Sequence, residues 1–418
     1  MSNAARILLA LVLGLGGGIL FAEVAPAGAK RAADLVFDPI GTLWLNGLRM
    51  TIVPLVMALL VTGIVQSARA AQAGKLAART VFWIVGLMTL SACLGALLMP
   101  AFLSLFPMPA ESAAALRAAL GSAQKVADVP PVGDFIKALV PSNPVYAAAN
   151  DHILPLIIFT GALAFAITRL PEGPQGSLSR AFAALADAMI IVVEWVLRLA
   201  PIGVFALALV VGARSGAAAF GALLHYIVVI SSVGLVVGAV AYPLAVIFGR
   251  VPLGRFAREI VPVQALAVST QSSLACLPLM LNRAEALGVP ERKAGLVLPM
   301  AVALLRITGP AMNLGVALYV ANWFGVELGP AQYAVAILAA VLTSLGAVSL
   351  PGQVSFFTSI VPISLAIGVP VEPLALLIAV ETIPDIFRTL GNVQADVALA
   401  TTIDAQTREK QDAVPHAG

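Results

Sequence analysis

Glu381, Asp385, Arg388, Thr389, Asn392 and Asp396 lie within sixteen residues of an otherwise apolar, membrane-length segment. Wound as a helix at about 100° per residue, all six fall within an arc of roughly 100°. One face would be charged and the rest greasy. A charge at bilayer depth costs about 3 kcal/mol on insertion scales. Such a stripe persists where it faces a protein interior or a wet cavity, and its default chemistry is that of a substrate or ion path.

The elements that must position this stripe are long and apolar. The 418-residue chain is 60% hydrophobic and 11% charged, with a mean hydropathy of +1.00. A soluble domain is about a quarter charged, so the composition is that of an integral membrane protein with several spans. The net charge of +3 is small and the basic residues are scattered, which gives nucleic-acid binding no support. Cys93 and Cys276 sit in apolar runs, too few for a disulfide framework. His152, His225 and His416 are spread along the chain and have no zinc spacing.

Spans are expected at 5–24, 38–67, 78–106, 152–169, 182–213, 218–249, 293–325 and 370–402, eight in all, with a more polar excursion at 107–150. The N-terminal apolar run has no small-residue cleavage site behind it, so it is expected to be a retained first span. Basic clusters at Arg69, Lys75 and Arg79, at Arg169 and Arg180, at Arg250, Arg255 and Arg258, at Arg283, Arg292 and Lys293, and at Arg408 and Lys410 all fall on one side if both termini are cytoplasmic. The expected location is a cell (inner) membrane, multi-pass, with both termini cytoplasmic.

Two segments do not fit a simple count. Residues 258–290 surround a polar centre at Ser269, Thr270, Gln271, Ser272 and Ser273. Residues 331–367 surround a Ser-, Gly- and Pro-rich centre from Thr343 to Gln353. Each half is too short to cross, so both segments are expected to be re-entrant helical hairpins, against the plainer reading of two kinked helices. Each is followed by a span, a repetition that indicates inverted repeats around a midplane binding site.

In order along the chain, IVPLVMALLVTGI (53–65), NDHILPLIIFTGALAFAI (150–167), LAPIGVFALALVV (199–211), QSSLACLP (271–278), SLGAVSLPGQ (344–353) and DIFRTLGNVQAD (385–396) resemble the glutamate transporter family, the dicarboxylate/amino acid:cation symporters. The resemblance implies an all-α membrane protein with eight transmembrane helices and two hairpins, a homotrimer in the lipid bilayer that works as an elevator. It implies a fixed scaffold at 1–72 (helices 1 and 2) and 107–213 (helices 4 and 5). The moving body would be 73–106 (helix 3) and 214–405 (helix 6, both hairpins and helices 7 and 8), followed by a tail at 406–418.

The resemblance also implies roles. Arg388 matches the position that pairs with a substrate's side-chain carboxylate, for which a guanidinium supplies a rigid bidentate fork. The plainer alternative, an ion pair with Glu381 or Asp385, is compatible with that role. Asp385 matches the carboxylate that holds an α-amino group, which favours an amino acid. Thr389 and Asn392 match polar substrate contacts, and Ser272 and Ser273 match the first hairpin tip, which receives the α-carboxylate. The second tip, Leu350 and Gly352 included, should close over the substrate. Asp396 matches a sodium-ligating aspartate, to which Asn392 would add a carbonyl oxygen. Glu381 matches a carboxylate near the site and is a candidate to bind and release a proton.

Departures from the family pattern bear on the ion. The family's Asn-Met-Asp-Gly-Thr motif in span seven is replaced here by a stretch from Leu305 to Asn313, with its Asp missing and one residue more between Pro299 and Gly315. A Thr-Ser pair in span three is replaced by Leu87 and Met88, and Ala347 stands where a hydroxyl is common. Arg306 is new, and it lies where sodium would neutralise Asp396. It is read as a built-in cation, against the alternative of an arginine snorkelling to a loop. Gln271 and Ile386 occupy the two positions where relatives carry an arginine, which makes the site less positive.

The expectation is a carrier of an anionic amino acid, glutamate or aspartate, with no cofactor and with H+ as coupling ion in preference to Na+. The alternatives are a C4-dicarboxylate symporter and an uncoupled amino-acid exchanger with Arg306 as tethered cation. An intramembrane enzyme would need a nucleophile with its base or a metal motif such as H-E-x-x-H, and neither is present. A plain channel is disfavoured by two hairpins closing one site.

Overall fold

The computed structural model describes residues 3–24, 27–72, 74–109, 113–114, 140–150, 152–216, 218–346 and 352–412. Among them the fold is helical and no strand occurs. The chain runs α1 (Asn3–Val24), α2 (Ala27–Arg49), α3 (Ile52–Gln72), α4 (Lys75–Leu105), α5 (Pro144–Ala149), α6 (Ile153–Ile167), α7 (Glu172–Arg198), α8 (Ala200–Ser215) and α9 (Ala218–Ala239). A short helix at Ala241–Pro243 and a π turn at Leu244–Phe248 follow. Then come α10 (Leu253–Thr270), α11 (Ser273–Ala286), α12 (Glu291–Leu304), α13 (Thr308–Phe324), α14 (Pro330–Gly346), α15 (Gly352–Ala366), α16 (Leu374–Val380) and α17 (Thr382–Asp412).

Among the described residues four helical segments are long and apolar enough to cross a bilayer: Leu35–Gln72, Lys75–Leu105, Ala219–Phe248 and Glu291–Phe324. A fifth forms if α7 and α8, bent by 55°, are taken together. Pro201 accounts for that bend, since its ring nitrogen cannot bond the Leu197 carbonyl one turn back. These five coincide with five of the eight expected spans. The first and fourth expected spans correspond to the shorter apolar helices Ala5–Phe21 and Ile153–Ile167. The eighth corresponds to α16 and α17. The acidic and basic residues of its stripe lie inside it and lower its hydropathy.

Both sequence-predicted hairpins are helical pairs. In the first, α10 and α11 pack on each other, and the turn between them puts Gln271 in the left-handed region at φ 50°. Ser272 caps α11, its Oγ accepting from Ala275 N at 3.3 Å. The second pair, α14 and α15, also packs arm on arm. Its tip, residues 347–351, lies outside the described residues, and so does Leu350. The expected excursion at 107–150 is described at 107–109, 113–114 and 140–150, where Asn143 caps α5.

α13 is buried on nearly every face, as a central helix must be. α4 packs along it, and α9, α10, α11 and α12 pack on α17. On the other flank α1 and α2 pack on α8, and α3 packs on α6 and α7. α3 also touches α4 and α14, which joins the two groups.

Candidate functional site

Glu381 stands at the joint between α16 and α17. Pro384 causes the joint, because it has no N–H for the Val380 carbonyl. The helical path survives, with Asp385 N donating to Glu381 O at 2.9 Å. The expected stripe therefore stays on one face. Glu381, Arg388, Thr389, Asn392 and Asp396 are all buried, and Asp385 is nearly so.

Arg388 is the hub. Its Nη2 lies 2.5 Å from Glu381 Oε1, its Nε lies 3.2 Å from Asp385 Oδ1, and its Nη1 donates to Asn313 Oδ1 at 2.7 Å. Tyr226, on α9, donates to the other Glu381 oxygen at 2.7 Å. Four helical elements thus fix one guanidinium. The ion pairs that were the plainer alternative for Arg388 are present, with both candidate carboxylates. Among the described residues, two of its five N–H donors have no acceptor.

The seventh expected span is broken where Arg306 stands. α12 stops at Leu304, Leu305 is extended at ψ 111°, and α13 starts at Thr308. Pro310 has no N–H for the Arg306 carbonyl, which instead accepts from Gly309 N at 2.8 Å. Arg306 therefore sits in an unwound turn and not on a continuous helix face. The exposed backbone groups of this turn are satisfied from two other helices. Thr308 N donates to Asn392 Oδ1 at 3.1 Å, and the Thr308 hydroxyl lies 2.8 Å from the same oxygen and 2.9 Å from the Arg388 carbonyl. Ser91 on α4 donates to the Ile307 carbonyl and accepts from Ala311 N at 3.2 Å. Close approach of backbones makes this possible. A methyl on Gly391 would lie 3.0 Å from the Gly238 Cα and collide with the Thr308 methyl.

Asp396 is fully buried, and neither carboxylate oxygen has a hydrogen-bond partner among the described residues. An isolated ionised carboxylate in such surroundings is costly, so the position suits a proton or a cation. The half-buried Arg306 guanidinium is within electrostatic reach of both Asp385 and Asp396, yet forms no ion pair among the described residues. Leu87 and Met88, at the positions expected to lack side-chain oxygens, are buried on α4.

Ser272 and Ser273 are half-buried at the tip of the first hairpin, whose arms pack on α17. A further link joins them: Gln264 Nε2 on α10 donates to Gln394 Oε1 at 2.7 Å. Gly352 opens α15. Sequence reasoning passed over Ser91, Tyr226, Gln264 and Thr308, and gave Asn313 no role. Each is a polar side chain in an apolar run, which was the available signal, but nothing in the linear order pairs them. Among the described residues no group of three or more His, Cys, Asp or Glu is placed to hold a metal ion.

A broken central helix, two helical hairpins and a buried charged stripe make up the arrangement. The sequence profile of the sodium:dicarboxylate symporter family matches residues 4–406. The chain is 27% identical over 417 residues to a proton/glutamate-aspartate symporter of Escherichia coli (strain K12), covering 98% of this chain and 94% of the relative. It is 28% identical over 411 residues to a proton/sodium-glutamate symport protein of Bacillus subtilis (strain 168), covering 96% and 91%. A C4-dicarboxylate transport protein of Deinococcus radiodurans is 25% identical over 414 residues, covering 97% and 89%. With apolar helices of membrane length, a charged site enclosed among them and a family match along nearly its whole length, this chain is a multi-pass membrane transporter, not an enzyme, and belongs to the sodium:dicarboxylate symporter family.

Proposed function

We propose that this transporter moves an acidic amino acid, glutamate or aspartate, and that protons drive it in preference to sodium. The observation that carries the reading is the Arg388 hub on the same helix as Asp396, whose carboxylate has no hydrogen-bond partner among the described residues. Arg388 would receive the substrate's side-chain carboxylate, and Asp385 its α-amino group. Thr389, Asn392 and the hairpin tips at Ser272, Ser273, Leu350 and Gly352 would complete the enclosure. Glu381 and Asp385 occupy Arg388 in this structure, so an incoming carboxylate competes with them. Protonation of Glu381, with Tyr226 still bonded to it, would release the guanidinium.

Charge supports a proton. Glu381, Asp385 and Asp396 stand against Arg306 and Arg388, one negative charge in excess when all are ionised. An acidic amino acid brings one more. A proton on Asp396 or Glu381 relieves that repulsion at low dielectric. Sodium needs several oxygen ligands; among the described residues Asn392 Oδ1 is engaged by Thr308, and Leu87 and Met88 carry no side-chain oxygen. Arg306, within electrostatic reach of Asp385 and Asp396, would serve as the tethered cation. The family's elevator motion, with 1–72 and 107–213 fixed and 73–106 and 214–405 moving, and its homotrimeric assembly with cytoplasmic termini, are part of this proposal.

Uptake into proteoliposomes tests it. Labelled aspartate is expected to accumulate under an inward proton gradient without sodium, and Arg306→Ala to lose uptake or gain sodium sensitivity. Strict sodium dependence in the wild type would overturn proton coupling and the tethered cation together. The name of the Deinococcus relative favours a second reading, a C4-dicarboxylate carrier, in which succinate is taken up and aspartate does not compete. Counterflow without accumulation under any gradient would identify an uncoupled exchanger.

A further inference from the structure

Away from the α17 stripe, charge concentrates where three stretches of chain end together. The segment from Gly249 to Arg255, the turn from Leu287 to Val289 and the last turns of α17 wall a cavity of about 380 Å³. That volume is within the range of small-ligand sites. Among the described residues its lining carries Arg250, Arg255 and Arg408 and one carboxylate, Asp404. Both oxygens of Asp404 are already engaged. Oδ1 accepts from Lys293 Nζ at 2.7 Å and Oδ2 from Arg408 Nη2 at 2.8 Å. All three arginines line the cavity, and Asp404 is offset by Arg408 and by Lys293, which lies outside the lining.

Two of the guanidiniums are held in place by backbone. Arg255 Nη2 donates to the Ala286 carbonyl at 2.5 Å, and Arg408 Nη2 donates to the Gly288 carbonyl. Each keeps further N–H donors of its five. Arg250 holds a left-handed φ of 54°, a conformation that a long side chain adopts only where its surroundings fix it. All three side chains are exposed, so a ligand reaches them without any helix moving. The tendency of basic residues to collect in cytoplasmic loops explains their number. It does not call for three of them around one cavity whose one acid among the described residues, Asp404, is already paired.

We propose that this cavity binds a phosphate group, supplied by an anionic lipid headgroup or by free phosphate. Guanidinium forks match phosphate oxygens, and arginines arriving from different segments suit a tetrahedral anion better than a flat carboxylate. Basic pockets at the cytoplasmic end of membrane helices take lipid headgroups in this way. A bound phosphate would tie the start of α10, the turn after α11 and the end of α17 to one anion. That would stiffen the base of the first hairpin against the helix that carries the charged stripe. The proposal is independent of which substrate or coupling ion the transporter uses.

The test is thermal unfolding of the full-length protein in nanodiscs of phosphatidylcholine, with added phosphatidylglycerol or with added inorganic phosphate. A ligand bound only to the folded state raises the apparent melting temperature, here by about 3 °C or more. The shift is expected in wild type and in Arg169→Gln/Arg292→Gln, which removes two exposed charges outside the cavity. It is expected to vanish in Arg255→Gln/Arg408→Gln. Should that double variant unfold, Arg255→Lys keeps the charge but loses the fork, and is expected to lose about half the shift. A shift with phosphatidylglycerol alone assigns the site to a lipid headgroup, and a shift with phosphate in phosphatidylcholine assigns it to the free anion. No shift with either ligand overturns the proposal, as does an equal shift in wild type and in the cavity variant.

Discussion

Arg388 donates toward acceptors from three of its nitrogens, and each acceptor is itself buried or nearly so. A lysine there would keep the charge and lose the planar fork. Arg388→Lys is therefore expected to lower uptake about tenfold or more, a loss of ~1.4 kcal/mol in binding terms, with folded protein still recovered. Uptake kinetics beside size-exclusion profiles check this. Asp396 presents the opposite case, a buried carboxylate without a hydrogen-bond partner among the described residues. Asp396→Asn removes a charge that burial disfavours, so the melting temperature is expected to hold or rise while uptake loses its dependence on the coupling ion. A clear drop in melting temperature would mean that the carboxylate has a structural counter-charge, with Arg306 the first candidate.

At the scale of the element, the broken seventh span governs the site. Its break was not visible as such, because Leu305 and Ile307 beside Arg306 read as a continuous apolar helix. Pro310 was the local signal. Its missing N–H forbids one hydrogen bond, and the turn opens there because Ser91, Thr308 and Asn392 supply substitutes. Those three residues lie on α4, α13 and α17, and only packing brings them together. Thr308→Val keeps the shape and removes the hydroxyl that lies between Asn392 and the Arg388 carbonyl. It is expected to cost about 1–3 kcal/mol, read as a lower unfolding temperature, and to weaken substrate-induced stabilisation as Arg388 shifts. The charged stripe was far more legible. Its residues share one helix, so the helical period alone puts Glu381, Asp385, Arg388 and Asn392 on one face, and Pro384 bends that helix without moving the face. The hairpins were legible for a related reason: two apolar arms around a polar tip can be read from a single stretch of sequence.

Across the whole molecule, Arg49 at the end of α2 meets Glu372 before α16, Nη2 to Oε1 at 2.5 Å. The pair joins positions far apart in the chain and, under the proposed elevator, links the fixed part to the moving one. Its side chains are 36% and 33% exposed, so its contribution to stability is small, under about 1 kcal/mol. Arg49→Gln is expected to leave the melting temperature almost unchanged and to alter the transport rate. The reversed pair, Arg49→Glu with Glu372→Arg, is expected to bring the rate back. Unchanged rates in every variant would show that the pair is not broken during transport.

Composition and period were enough to determine that this chain lives in a membrane and that one helix near its C-terminus has a charged face, because hydropathy and helical spacing are properties of a single stretch. Which partners meet that face was decided by the tertiary structure. Tyr226 and Asn313 reach Glu381 and Arg388 from two other helices, Thr308 occupies Asn392, and Asp396 is left without a hydrogen bond among the described residues. These pairings depend on how closely α4, α9, α13 and α17 approach one another. That distance is set by small residues such as Gly238 and Gly391 packing face to face, and it exists only once the helices have come together.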